Sequence, residues 1–312
     1  MRSNQLSYAP DRENPSVGGI SKRALEYSTE ASSVQPGICS RVQFLTSLLH
    51  CASAHRFPLR LLTLVALLGG CTNPLQRTAT PPIVSSTWEV LAPGLDRRFY
   101  QPGGNYPLTQ FIALRIDPAL YTFRAHYQPG NPMSLVAWRS ALPGAVAFIN
   151  GNFFDRQNNA LGLVVADSIP YGQAYVGMGG MLQVQNGGVR VRSTILEPYA
   201  GEPLEQAVQA FPMLMTNGQA SFANTQGDRI SRRTVIAQDV QGRIVLLVTT
   251  SLVGMKLVDL SSYLASTDMQ LVNAVNMDGG GSTLLALDVA GQPSYQIFSL
   301  DPVPTVLAVY PR

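Results

Sequence analysis

The sequence predicts an α+β fold: a single strand-rich domain with a few short helices over residues 83–312, preceded by a disordered leader and a signal segment. Short apolar or alternating runs, separated by Gly, Asn, Asp and Pro, indicate strands and turns, whereas helical periodicity is confined to two segments. The absence of any repeat of about 20–50 residues argues against a solenoid or a propeller. A domain of about 230 residues can bury a core that needs no disulfide.

The candidate strands are runs in which apolar residues are continuous or alternate with polar ones. They are Gln110–Ile116, Ala145–Ile149, Gly162–Ala166, Met181–Gln185, Arg190–Ser193, Arg233–Asp239, Ile244–Thr249, Asn273–Asn276, Leu284–Asp288 and Val306–Tyr310. Gln185–Gly188 and Val240–Arg243 predict hairpin turns, because Asn and Gly accept a positive φ. The helical segments are Ser134–Ala141, with Ser134 as its cap, and Asp259–Ser266.

Residues 55–82 carry signals of export and lipid attachment. A basic stretch, His55–Arg60, precedes the apolar run Leu61–Leu68, and the small residues before Cys71 end it. This order is typical of a signal peptide, and the run is too short to span a bilayer of about 30 Å. Leu68–Cys71 resembles the bacterial lipobox, whose cysteine receives lipid, so we expect residues 55–70 to be a lipoprotein signal peptide, Cys71 to be lipidated and residues 71–82 to be a tether. The alternative is a buried core helix that ends in a cysteine. By similarity to Gram-negative lipoproteins, Thr72 favours a bacterial envelope location, lipid-anchored at the outer membrane and facing the periplasm.

Residues 1–54 are rich in Ser, Pro, Gly and Glu and predict a disordered leader or a start assigned too early. A signal peptide begins close to its basic end, so our hypothesis places the true start near Val42–Leu49.

Charge and cysteine content exclude several classes of function. Seven basic and four acidic residues precede Cys71 and fifteen of each follow it, so the body is neutral and nucleic acid is not an expected partner. Cys71 is the last cysteine, and His126 is the only histidine after it. Thiol nucleophiles, zinc–thiolate sites and multi-histidine sites are therefore excluded from the body. No metal site or cofactor is predicted, assistance by a divalent cation is left open, and the sequence does not specify the oligomeric state.

Three consecutive glycines mark the most unusual stretch of the chain. An apolar strand leads into Asp278, and the loop then contains Gly279, Gly280, Gly281, Ser282 and Thr283. Glycines allow another group to approach closely and present N–H groups to an anion, while the strand would fix Asp278 at a cleft. The alternative is an ordinary glycine-rich turn. The loop matches neither a Walker loop nor a nucleophile elbow.

A second polar stretch follows the candidate strand Ala145–Ile149. It contains Asn150, Asn152, Phe153, Phe154 and Asp155. Amides exchange hydrogen bonds with sugar hydroxyls, and an aromatic face packs against a sugar ring. Alternatively, the two phenylalanines belong to the core and Asn150 belongs to a simple turn.

A third stretch, Ser231–Ala237, places two arginines before an apolar strand. The guanidinium fork of Arg233 is suited to phosphate. Surface salt bridging is the alternative, and it is the role we expect for Arg232.

In order and spacing, these three stretches resemble the phosphodiester glycosidase family. The matching motifs are Asn150–Asp155, Arg232–Ala237 followed by Asp239 and Gly242, and Asn276–Thr283, with Gly162–Val165 and Ala207–Gly218 where the family has its intermediate segments. The resemblance covers residues 108–310. Asn152 stands where glycine is more usual, and Phe211 precedes Pro212 where a glycine is frequent. These departures would reshape the pocket.

The resemblance implies a hydrolase that cleaves a sugar from a phosphodiester at the anomeric carbon. A phosphate leaving group has a second pKa near about 6, so stabilising the departing anion matters more than protonating it. Asp278 is expected to be nucleophile or general base, Arg233 to hold the phosphate, and Asn150 and Asn152 to orient the sugar. Asp155 and Asp239 are reserve carboxylates. The other expected substrate contacts are Phe153, Phe154, Gly279, Gly280, Gly281, Ser282 and Thr283.

Two other functions fit the same residues. One is a non-catalytic lipoprotein that binds a glycan or phosphoglycan, which is favoured by the single lysine, Lys256, and the single histidine of the body. The other is a serine hydrolase that uses Ser282 with His126.

Overall fold

A computed structural model describes residues 87–312, and the predictions for residues 1–82 lie outside the described residues. Within 87–312 every strand pair is antiparallel, and helix is confined to two α-helices and one 3₁₀ turn. The strand-rich prediction is confirmed. The domain is mostly β rather than evenly α+β, because strands form three sheets and each helix packs against a sheet.

The strands and helices have the following bounds. They are β1 (Glu89–Ala92), β2 (Leu95–Tyr100), β3 (Phe111–Ile116), β4 (Tyr121–Tyr127), α1 (Leu135–Ala141), β5 (Ala147–Asn150), β6 (Val164–Ala166), β7 (Ile169–Tyr171), β8 (Gly180–Gln185), β9 (Gly188–Ser193), β10 (Gln206–Ala210), β11 (Met213–Thr216), β12 (Gln219–Ala220), β13 (Thr234–Asp239), β14 (Ile244–Thr249), α2 (Leu257–Ser266), β15 (Leu271–Asn276), a 3₁₀ turn (Gly280–Ser282), β16 (Leu285–Leu287), β17 (Tyr295–Ile297) and β18 (Thr305–Pro311).

Three sheets share one apolar core. The first has eight strands in the order β1-β2-β3-β14-β13-β15-β11-β12, the second has the order β7-β6-β10-β8-β9, and the third has the order β17-β16-β5-β18-β4. Ile112, Ile149 and Val208, one from each sheet, belong to the same buried cluster. Because side chains alternate along a strand, the opposite face of the eight-stranded sheet is free to pack against α2.

The two predicted helices are present. Ser134 caps α1, as expected, by accepting a hydrogen bond from Ala137 N at 3.3 Å. Helix α2 begins two residues before the predicted Asp259, because its cap is not local. Asp228 accepts from the backbone N–H groups of Leu257 and Val258 at 2.8 and 3.0 Å. None of the helices in residues 87–312 has the length and apolar character needed to cross a membrane.

Both predicted hairpin turns are confirmed. Asn186 and Gly187 join β8 to β9 with φ values of 50° and 73°, and Gly242 has φ 82° between β13 and β14. Several strands were not predicted from the sequence, among them β4 and β10. The buried amides of Gln206 and Gln209 interrupt the apolar pattern of β10.

Candidate active site

The loop Asp278–Thr283 lies where two sheets meet. It leaves β15 of the eight-stranded sheet and delivers the chain to β16, which pairs with β5. Met277 N donates to the carbonyl oxygen of Thr234 at 2.8 Å, and Asp278 N donates to that of Gly151 at 3.2 Å. The start of the loop is therefore tied to the ends of β13 and β5.

Asn150 ends β5 and is buried beside this loop. Its Nδ2 donates to the carbonyl oxygen of Asp278 at 2.7 Å, and its Oδ1 accepts from Thr234 Oγ1 at 2.7 Å and Leu284 N at 3.1 Å. The structure thus brings Asn150 and Asp278 together. Because both ends of its amide are engaged, Asn150 fixes the loop, and its predicted contact with the sugar stays a prediction.

Each glycine of the loop has its own reason to lack a side chain. A Cβ on Gly279 would lie 2.5 Å from the carbonyl oxygen of Arg232, and a Cβ on Gly281 would lie 1.9 Å from Asp301 Oδ2. Gly280 has φ +61°, a region that favours glycine, and its N–H donates to the carbonyl oxygen of Arg232 at 2.9 Å. The glycine-rich sequence therefore reflects close contacts as well as a turn.

The carboxyl group of Asp278 is buried at the start of the loop. The residue keeps part of its surface exposed, yet burial of the carboxyl raises its pKa from 3.8 to about 6. A hydrogen bond from the Ser282 hydroxyl and one from Gly279 N, at 2.8 Å, oppose this shift, while the nearby negative charge of Asp301 reinforces it. Asp278 can therefore exchange a proton close to neutral pH.

Arg233 is buried and bound by protein acceptors. Its Nε donates to the carbonyl oxygen of Met255 at 2.8 Å, and its Nη2 donates to that of Arg229 at 2.5 Å and to Asp228 Oδ1 at 3.3 Å. Burial lowers the pKa of Arg233 to about 10, although Asp228 opposes the shift. These bonds tie β13 to the start of α2, and the phosphate contact expected of Arg233 stays a prediction.

Arg232 does not make the surface salt bridge that the sequence suggested. The side chain is buried, and its pKa is lowered by burial. Its Nη2 donates to the carbonyl oxygen of Thr283 at 3.1 Å, its Nη1 donates to that of Phe298 at 3.3 Å, and its Nε has no partner within residues 87–312. The expectation was wrong because the glycine loop folds over this side chain and removes it from solvent. Arg232 places a positive charge at the loop.

Two buried amides beside the loop have unused oxygen atoms. Asn152 donates through Nδ2 to the carbonyl oxygen of Leu161 at 3.0 Å, and Asn276 donates to that of Phe211 at 3.2 Å. The Oδ1 of each, and the hydroxyl of Thr283, are buried without a hydrogen-bond partner in the described part of the chain. Such atoms are unfavourable unless a further hydrogen-bond donor reaches them.

Three partly exposed aromatic rings pack together next to Asn152. The Phe153 and Phe211 ring centroids are 4.7 Å apart, and Tyr175 meets Phe211 edge-on at 5.2 Å. These three residues, Phe153, Tyr175 and Phe211, are called the aromatic trio below. Phe154 instead packs against the cluster around α1, as the core alternative for the phenylalanines requires.

The two reserve carboxylates are engaged in their own turns. Asp155 accepts hydrogen bonds from Asn159 and Gln157, and these lower its pKa although burial opposes them. Asp239 is buried, bonded to the backbone of the β13–β14 turn and paired with Arg243. Both carboxylates hold local structure.

Ser282 and His126 are not hydrogen-bonded to each other, as the serine-hydrolase alternative would require. The Ser282 hydroxyl bonds Asp278, whereas His126 Nε2 lies 3.1 Å from the Tyr310 hydroxyl on β18. Burial lowers the pKa of His126.

Residues 87–312 contain no group of three or more His, Cys, Asp or Glu side chains arranged to hold a metal ion. Two surface depressions lie at the second sheet and beside β4, lined by residues that include Tyr199 and Arg124, and neither includes the glycine loop.

Sequence reasoning missed two residues at this loop. Asp301 lies against Gly281, and Asn276 presents a free amide oxygen. Asn276 stands two positions before Asp278 on the same strand and was available as a signal. Asp301 is distant in sequence, and no local pattern marks it.

Comparison with known proteins relates the chain to one family. A family model described as phosphodiester glycosidase matches residues 143–310. Human N-acetylglucosamine-1-phosphodiester alpha-N-acetylglucosaminidase is 29% identical over 205 residues, and the bovine protein of the same name is 28% identical over 217. These matches cover 54% and 58% of this chain but 38% and 40% of the relatives. The chain therefore spans about two fifths of the length of the curated relatives it matches.

A solved structure shows the same fold. The catalytic domain of zebrafish N-acetylglucosamine-1-phosphodiester alpha-N-acetylglucosaminidase, auto-inhibited by its pro-peptide, is similar with a TM-score of 0.53 and 18% sequence identity. The match covers 71% of this chain and 85% of that chain.

Proposed function

This chain belongs to the phosphodiester glycosidase family, and from that premise we propose that it hydrolyses the bond between the anomeric carbon of a sugar and a phosphodiester. The products are a free sugar and a phosphate monoester. The names of the human and bovine relatives make an N-acetylglucosamine-1-phosphodiester the first substrate to test.

The observation that carries this proposal is the environment of Asp278. Its carboxyl group has a pKa of about 6, receives hydrogen bonds from Ser282 and Gly279, and stands at the end of a central strand. A carboxyl group that changes protonation near neutral pH suits glycoside cleavage, either as nucleophile or in proton transfer. A strongly shifted pKa of a carboxyl group beside a loop of this kind marks a candidate functional residue.

The surrounding residues suit a sugar. The aromatic trio offers an apolar surface on which a sugar ring can pack. Asn152 and Asn276 offer amide oxygens that accept hydrogen bonds from hydroxyl groups. We propose that the sugar lies between these rings and Asp278.

Positive charge for the phosphate comes from Arg232, because Arg233 is paired with Asp228. Arg232 is held at the loop without a carboxylate partner among the described residues, so its charge is not neutralised there. We propose that Arg232 stabilises the departing phosphate through its field, and that Arg233 acts by tying the start of β13 to the start of α2.

A non-catalytic sugar-binding lipoprotein is the competing function. Incubation of the full-length protein with N-acetylglucosamine 1-(methyl phosphate), followed by an assay for free N-acetylglucosamine, separates the two. We expect continuous release of the sugar. Saturable binding of this compound without any release would establish the binding function instead.

We also propose that the protein is anchored to the bacterial envelope through Cys71, at the outer membrane facing the periplasm. The support is the order of basic, apolar and small residues before this cysteine. In a Gram-negative host, wild-type protein should incorporate labelled palmitate and fractionate with the outer membrane, and Cys71→Ser should do neither. Equal labelling of both proteins would exclude the anchor.

A further inference from the structure

A second acidic side chain lies on the glycine loop. Asp301 belongs to the segment between β17 and β18, and this segment is fastened to the loop by two hydrogen bonds. The backbone N–H groups of Leu300 and Asp301 both donate to the carbonyl oxygen of Gly281, at 2.7 and 3.1 Å. The position of Asp301 relative to the loop is therefore fixed by the backbone.

The carboxylate of Asp301 approaches the loop as closely as a glycine allows. A Cβ on Gly281 would lie 1.9 Å from Asp301 Oδ2, so the carboxylate packs directly on the Gly281 backbone. The negative charge of Asp301 is close enough to raise the pKa of Asp278. Two neighbouring carboxyl groups, those of Asp278 and Asp301, therefore lie at the loop.

Asp301 has no ion-pair partner within residues 87–312. Every ion pair of the described residues uses another acid, and no side-chain hydrogen bond reaches its carboxylate. Two carboxyl groups that repel each other, neither of them in an ion pair within residues 87–312, destabilise a fold. Such an arrangement is typical of sites where the carboxyl groups act on a ligand.

Two buried polar atoms beside the loop have no hydrogen-bond partner among the described residues, and this is a second observation that points to a ligand. Thr283 Oγ1 and Asn276 Oδ1 are buried beside the same loop and have no hydrogen-bond partner in the described part of the chain. Both residues are at least nine-tenths buried. A ligand with hydroxyl groups would satisfy them.

Hydrolysis of a glycosidic bond usually needs two carboxyl groups, and here the other candidates are occupied. The carboxylate oxygens of Asp155 and Asp239 accept hydrogen bonds from backbone N–H groups of their own turns. We propose that Asp301 is the second catalytic carboxyl group of this site, the base that accepts the proton of the attacking water. This assignment rests on the proposed function.

The step balances along either stereochemical course. If water attacks the sugar directly, its oxygen bonds to the anomeric carbon, its proton passes to Asp301, and the bond to phosphate breaks with its electron pair leaving on the phosphate monoester. If Asp278 first forms a glycosyl ester, the water attacks the anomeric carbon of that ester and again gives its proton to Asp301, and the electron pair returns to Asp278. The phosphate needs no proton to leave, because its second pKa is near about 6.

The test compares wild-type full-length protein, Asp301→Ala and a control, Asp268→Asn, with N-acetylglucosamine 1-(methyl phosphate) as substrate. Asp268 is an exposed acid that pairs with Arg98. Loss of the base should lower kcat for Asp301→Ala by about 100-fold or more, whereas the control should match the wild type. Circular dichroism and thermal unfolding monitor folding.

Sodium azide separates a base from a structural residue. Azide is already an anion and attacks the anomeric carbon without losing a proton, so it should restore turnover of Asp301→Ala and yield a glycosyl azide. Asp301→Asn, which keeps the packing on Gly281, provides the same comparison if the alanine variant does not fold. Near-wild-type turnover in water, or a loss that azide does not restore, would overturn the assignment of Asp301 alone. Wild-type protein that releases no sugar would overturn the proposed function and this assignment with it.

Discussion

At the scale of single residues, Asp278 shows a conflict between stability and chemistry. Its pKa is about 6 in the folded protein and 3.8 as the ordinary value, so folding favours the protonated form. The stability that this preference contributes is complete below pH 4 and is lost as the pH rises through 6. Near neutral pH the ionised carboxyl group therefore destabilises the fold.

The first prediction concerns the stability of Asp278→Asn. The amide resembles the protonated carboxyl group and does not ionise. The variant should therefore become more stable relative to the wild type as the pH rises from 4 to 8. The gain should be on the order of 1–3 kcal/mol, measured as the free energy of unfolding in urea at several pH values. If the difference in unfolding free energy between variant and wild type does not change with pH, the pKa of Asp278 is not raised in the folded protein.

The second prediction contrasts two glycines of the loop. Gly279→Ala would push a methyl group against the backbone oxygen of Arg232, so it should destabilise the protein by about 1–3 kcal/mol. Gly281→Ala meets only the end of the Asp301 side chain, which can move aside. It should leave the unfolding free energy almost unchanged and lower the turnover, because Asp301 is displaced. The contrast fails if Gly281→Ala is as unstable as Gly279→Ala, or is fully active.

At the scale of secondary-structure elements, one side chain joins several parts of the site. Asn150 ends β5, bonds Asp278 and Leu284 of the loop segment, and accepts from Thr234 at the start of β13. It is thus a structural link between two sheets, in addition to any contact with the sugar.

The third prediction is that Asn150→Ala will destabilise the protein strongly. It leaves the carbonyl of Asp278, the hydroxyl of Thr234 and the N–H of Leu284 without their partner, with an expected loss on the order of 3 kcal/mol or more in urea unfolding. Asn131→Ala, which removes an exposed amide that makes no side-chain hydrogen bond among the described residues, should change stability by no more than about 0.5 kcal/mol. Comparable values for the two variants would contradict this role.

Local patterns predicted some elements well and others not at all. Strand β14 has the predicted bounds, Ile244–Thr249, because its apolar run is continuous and follows a turn with Gly242. Strand β10 was not predicted from the sequence, because a glutamine such as Gln209 is typical of a surface position. In the fold its Oε1 accepts from the N–H groups of Leu163 and Tyr175, which a single sequence cannot reveal.

Local sequence patterns also predicted part of the candidate site. Asn150 and Asp278 were predictable as candidate site residues, because each ends an apolar strand and stands in a polar motif that the sequence displays. Their contact depends on how the strands are arranged in the fold. The burial of Arg232 and the position of Asp301 depend on which distant segment covers the loop. Those contacts are set by tertiary packing and are not visible as a periodic pattern in the sequence.

At the scale of the whole domain described, residues 87–312, three antiparallel sheets share a core, and the glycine loop lies where two of them meet. The loop continues from a central strand of the largest sheet and enters the sheet of β5, so its backbone is anchored on both sides. Preorganised charges and donors stabilise a transition state most when they need not move during the reaction. The fold and the proposed hydrolysis are consistent in this respect.

Activity of Asp278→Asn tests the central claim most directly. Full-length wild-type and variant proteins are incubated with N-acetylglucosamine 1-(methyl phosphate), and free N-acetylglucosamine is followed over time. We predict steady release by the wild type and a turnover at least about 100-fold lower in the variant, which thermal unfolding should show to be folded. Release of the sugar by Asp278→Asn at the wild-type rate would contradict the account.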